Sequence, residues 1–96
     1  MMSTNSPELQ KFYLRVNLPD GNILWGEPEY GDPRSKANEI AQIISNGALS
    51  VTVCHGGDFT IIPNFIAQKS VFTLRILGAD GIQENLIHDP GAEQST

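Results

Sequence analysis

Apolar and polar residues alternate along much of this chain, and in one stretch they recur instead with helical spacing. From residue 47 to residue 77 the alternation runs, breaks at His55-Gly56-Gly57-Asp58, bends at Pro63 and resumes into Leu77. A period of two sends successive side chains to opposite faces, so this stretch predicts strands of a sheet with one buried face. Residues 11–18 follow the same rule, with Phe12, Leu14, Val16 and Leu18 on one side and Tyr13, Arg15 and Asn17 on the other. Pro19-Asp20-Gly21-Asn22 predicts a turn, because proline pre-sets φ and glycine accepts a left-handed position. Residues 23–26 return as a second strand, with Trp25 expected on the core side beside Ile23. Residues 27–31 read as a loop.

Helical spacing occupies residues 32–47. Asp32 is the expected N-cap, and Pro33 stands at the first helical position, where its missing N–H costs nothing. Ala37, Ile40, Ala41 and Ile44 form one apolar stripe, and Asn46-Gly47 supplies the left-handed stop. A third strand is expected at 49–54 and a fourth at 59–62, joined by the tight Gly-Gly turn. Pro63 stops the ladder, and 63–68 reads as one helical turn that tucks Phe65 or Ile66 under the sheet. Residues 71–77 make the longest strand, with apolar residues on both of its sides. Ala79-Asp80-Gly81 turns the chain again, toward a weak edge strand at 82–87.

The predicted fold is therefore α+β, in the order ββαβββ. It is a two-layer domain with a five- or six-stranded antiparallel or mixed sheet and one main helix on one face. The domain is expected over 9–88, between flexible tails at 1–8 and 89–96. Its expected core holds Phe12, Leu14, Val16, Trp25, Ile40, Ala41, Ile44, Leu49, Val51, Val53, Phe59, Ile61, Phe65 and Ile66, together with Phe72, Leu74 and Ile76. One helix covers one face of a sheet, so the other face must be polar or meet a partner. The two-sided strand at 71–77 is central in the sheet or carries a subunit contact.

With 96 residues, the chain has room for one domain. A domain of this size buries only about 60–65% of the surface its unfolded chain exposes, which favours self-association. The net charge is −5, and the six basic residues Lys11, Arg15, Arg34, Lys36, Lys69 and Arg75 form no run. Phosphate backbones and anionic bilayers both demand clustered cations, so nucleic acid and membrane surfaces are disfavoured as partners. A single cysteine, Cys54, makes no internal disulfide. No stretch reaches the ~20 apolar residues of a bilayer span, and residues 1–7 lack a signal peptide's apolar core. A cytoplasmic location is expected.

Candidate chemistry is sparse. Cys54 and His55 are sequence neighbours, but a strand sends neighbours to opposite faces, a poor arrangement for a thiol–imidazole dyad. Cys54, His55, Asp58, His88 and Asp89 show no zinc-type spacing. Gly56-Gly57 precedes a strand rather than the helix that a phosphate cradle needs. No catalytic residue, metal or cofactor is assigned. Glu27, Glu29, Tyr30 and Asp32 form an acidic loop that suits partner docking, at a helix N-terminus where negative charge is favourable. Arg15 and Arg75 lie mid-strand on the outward face. If strands 11–18, 49–54 and 71–77 are neighbours, they converge with Tyr13, Ser50, Thr52 and Thr73 into a site for a small anionic metabolite or nucleotide.

The leading expectation is a non-enzymatic interaction protein acting as a homodimer or higher homo-oligomer. Its contact would be isologous, through strand 71–77 or the open sheet face. Such a protein binds and occludes another protein, as acidic inhibitors encoded by phages and mobile elements do.

Overall fold

A computed structural model describes residues 9–91. The tails expected at 1–8 and 89–96 lie outside the described residues, apart from 89–91. Along the chain run β1 (Gln10–Asn17), β2 (Ile23–Trp25), β3 (Glu29–Gly31), α1 (Pro33–Ser45), β4 (Ser50–His55), β5 (Asp58–Pro63), α2 (Asn64–Ala67), β6 (Val71–Gly78) and β7 (Gly81–His88). Five strands form one antiparallel sheet in the order β2-β1-β6-β7, with β3 also on β1, and β4–β5 form a separate two-stranded sheet. The α+β class, the main helix and the element order stand as expected. The division into two sheets was not expected. Residues 29–31, read as loop, pair with Gln10, Lys11 and Phe12. The weak edge strand is a full eight-residue strand.

The helix begins where its chemistry dictates. Asp32 accepts a hydrogen bond from the Arg34 N–H (3.1 Å) and one from the Ser35 hydroxyl (3.0 Å), and Pro33 opens the first turn. Asn46 donates its N–H to the Gln42 carbonyl, and Gly47 follows at φ +73°. Removing the cap oxygens orphans amide donors, so Asp32→Ala is expected to cost about 1 kcal/mol. In a thermal melt that lowers the midpoint by about 4–8 °C, and an unchanged midpoint would refute the cap assignment.

Helix and hairpin cover the same face of the large sheet. Val16 and Phe72 from that sheet, Ile40 and Ile44 from α1, and Val51, Val53 and Ile62 from the hairpin make one buried cluster. Phe12, Leu74 and Ile76 make a second, against which Ala37 packs. β6 is paired with β1 on one side and β7 on the other, which explains why both its faces carry apolar residues and leaves it no edge for another subunit.

Several expected core positions lie elsewhere. The hairpin closes through a two-residue turn, with Gly56 at φ +56° and Gly57 at φ +88°, the conformation a type I′ turn requires. It sets His55 opposite Asp58, hence Val53 opposite Thr60 and Val51 opposite Ile62. Cross-strand partners share a face, so burying the two valines buries Ile62 and turns Phe59 (69% exposed) and Ile61 (65%) to solvent. Leu49 is 93% exposed and Phe65 is 68% exposed, while Ile66 packs against the core. The first hairpin repeats the argument: Val16 faces Leu24 and Arg15 faces Trp25. Leu24 therefore packs inward, and Trp25 lies with Ile23 on the outer face. Ala41 is only half-buried.

Candidate functional site

Three surfaces carry the chain's uncommitted chemistry. The first is the outer face of the large sheet. The β1–β6–β7 register sets Tyr13, Arg75 and Glu84 in one cross-strand row, and Trp25, Arg15, Thr73 and Leu86 in the next. Glu84 Oε2 lies 3.3 Å from Arg15 Nη1 and 3.2 Å from Arg75 Nε. The Arg75 guanidinium stands 5.5 Å from the Tyr13 ring centre and 5.9 Å from that of Trp25, and the two rings are 5.9 Å apart. Each such cation–ring contact contributes about 0.5–1 kcal/mol at an exposed site. Among the described residues, Arg15 Nε has no hydrogen-bond partner. Ile23, Ile82 and Leu86 stand exposed around the cluster.

The structure thus joins Arg15, Arg75, Tyr13 and Thr73, with Thr73 buried beneath the others' level (5% exposed). Thr52, expected with them, belongs to β4, which among the described residues pairs only with β5 and contributes nothing to this face. Ser50 is excluded with it. Neither Trp25 nor Glu84 was expected in the cluster. Trp25 follows from the hairpin register, whereas Glu84 depends on strand order.

The second surface is the outer side of the β4–β5 hairpin, where Cys54 faces Phe59 and Thr52 faces Ile61. At its open end lie exposed Leu49 and Phe65, and Asn64 donates its N–H to the Leu49 carbonyl (2.9 Å). Antiparallel pairs alternate between bonded and non-bonded. The turn makes His55–Asp58 a bonded pair, so Cys54–Phe59 and Thr52–Ile61 are non-bonded, and their backbone groups point away from the ladder. Pro63, which has no N–H, falls opposite Ser50 in the same non-bonded class. Among the described residues β5 is thus an uncovered edge, whose outward N–H groups belong to Phe59 and Ile61.

The third surface is a groove of about 500 Å³ between α1 and the other edge of β4. The acidic loop divides there. Glu27 and Glu29 line the groove, Tyr30 is 71% exposed, and Asp32 is committed to capping α1.

Cys54 is exposed and free, opposite Phe59 rather than a base. His88 Nε2 donates to the Gln68 carbonyl (3.1 Å), and its ring stands edge-on to Phe72 at 6.3 Å. Among the described residues, no group of three or more His, Cys, Asp or Glu side chains is placed to hold a metal ion, and no helix is long and apolar enough to cross a membrane. No protein-family model, curated protein or solved structure matches this chain. Its function must be read from these surfaces.

Proposed function

We propose that this is a non-enzymatic interaction protein that works as a homodimer. The observation that carries the reading is β5, an apolar strand edge with Phe59 and Ile61 in solvent. Uncovered edges of this kind invite pairing with another chain, and native monomers blunt them with lysine, proline, bulges or covering loops. Pro63 is one such device and stands at the C-terminal end of β5; from Asp58 to Ile62 there is no lysine, proline or bulge, and Phe59 and Ile61 keep their outward N–H groups. Two copies related by a two-fold axis would pair β5 with β5 antiparallel, joining two hairpins into a four-stranded sheet. The open faces of the large sheets then stay available to another protein. Tyr, Trp and Arg are the residue types that dominate binding energy at protein interfaces, and Tyr13, Trp25 and Arg75 meet on that face. The occluding role expected of an acidic inhibitor needs such a surface.

Light scattering across the micromolar range tests the dimer. The expected mass is twice the 10.5 kDa of one chain, and a monomer at high micromolar concentration would overturn the reading.

Capture of a small anion is the second reading, favoured by the meeting of Arg15 and Arg75. Glu84 already stands between the two guanidinium groups, leaving one net positive charge for a ligand. A thermal-shift screen against nucleotides and carboxylate metabolites separates the two. A true ligand at 100 times its Kd raises stability by about 2.7 kcal/mol, a shift of roughly 10–20 °C for a domain of this size. No shift across the panel ends the anion reading.

A further inference from the structure

We propose that the groove between α1 and β4 binds an extended, basic peptide segment by adding it as a strand to the free edge of β4. One wall of the groove is that edge. By the alternation that the turn sets, Ser50, Thr52 and Cys54 aim their backbone groups into the groove, away from β5. The chain itself makes the first rung: the Glu27 N–H donates to the Cys54 carbonyl at 2.9 Å. It then turns off through Pro28 to pair with β1 as β3, and among the described residues the edge from Thr52 to Ser50 has no strand beside it. At about 3.3 Å per residue, the stretch from Ser50 to Cys54 spans about 13 Å, room for a short extended segment.

The opposite wall is α1, whose Ile40 and Ile43 share the lining with Leu14 of β1. Gly26 keeps the floor low: a Cβ there would stand 3.1 Å from the Leu14 Cβ and 3.3 Å from the Leu14 amide nitrogen. A strand laid on β4 would turn alternate side chains toward these apolar groups. The rim sets the charge of the occupant. Glu27, Glu29 and Glu39 line it with one cation, Lys36, which is held 3.3 Å from Glu29. Among the described residues, Glu27 and Glu39 have no ion-pair partner. Backbone pairing supplies affinity, and the alternating apolar and basic side chains supply specificity, as in strand addition generally. The edge is the one on the far side of the hairpin from β5, so this site and the dimer stand or fall separately.

The probe is a fluorescein-labelled heptapeptide alternating lysine and valine, titrated by fluorescence anisotropy against the full chain. A peptide with glutamate in place of lysine is the control. Two further peptides are N-methylated, one at every valine and one at every lysine. Only one of these sets can point its N–H groups at β4, so one methylated peptide should lose at least about tenfold in affinity while the other keeps its own. Thr52→Pro removes the central edge donor without touching the β4–β5 ladder and should weaken the parent peptide similarly. Glu27→Gln with Glu39→Gln should weaken it and flatten its salt dependence. Equal behaviour of the two methylated peptides, or equal binding of the glutamate control, overturns the proposal. So does a dimer that Thr52→Pro converts to monomer, because the groove would then hold a second copy.

Discussion

Phe72→Ala is expected to lower the unfolding free energy by about 3–5 kcal/mol, the cost of deleting a fully enclosed aromatic ring. Phe72 is 0% exposed and lies in β6, where the large sheet, α1 and the β4–β5 hairpin share one cluster. No neighbour can collapse into the space without leaving another contact, because each layer is held by its own backbone bonds. A domain of this length is stabilised by roughly 5–14 kcal/mol in all, so one substitution removes a large fraction of the total. Urea denaturation of the monomeric chain reads the effect as a lower midpoint at unchanged slope. Phe59→Ala is the internal comparison. Its ring is 69% exposed, so the change should fall within about 0.5 kcal/mol. Equal costs for Phe59 and Phe72 would mean that the pleat of one of these strands is reversed.

Phe59→Lys combined with Ile61→Lys is expected to convert the dimer fully to monomer. In an isologous contact each substitution appears twice, so four ammonium groups would be brought together where four apolar side chains had met. Lysine on an edge strand is also the device by which native sheets repel further strands. Both positions face solvent in the isolated chain, and neither contributes to either buried cluster. The thermal midpoint extrapolated to low concentration should therefore stay nearly constant while the scattering mass halves. A dimer that survives both lysines would move the contact off the hairpin, with the outer face around Trp25 and Leu86 the next to vary.

Much of the fold was legible in local patterns. Asp32, Pro33 and Gly47 mark the ends of α1 because capping and φ preferences act within a few residues. Ile40 and Ile44 are buried as the stripe required. The inward sides of β1, β4 and β6 are those that alternation indicates. Phe59, Ile61 and Trp25 face outward, against the core positions their hydrophobicity predicts, and the signal for this is local. A two-residue turn after a strand that buries Val51 and Val53 obliges Ile62 to be buried and its neighbour Ile61 to be exposed. Hydrophobicity alone prefers the opposite choice, but cross-strand pairing prevails because the ladder cannot shift by one residue without breaking the turn.

Alternation, capping and turn chemistry in the sequence thus determined which segments are strands and helix, where each ends, and which side chains share a side of each strand. Those properties depend on neighbours a few bonds away. Only the tertiary structure decided that β1 pairs with β6 and not with β4, that Glu84 stands between Arg15 and Arg75, and that Thr52 belongs to another sheet. It alone left β5 and part of β4 as uncovered edges among the described residues. Strand order depends on which long-range pairing best closes the core, and one helix and one hairpin suffice to cover a single face of this five-stranded sheet.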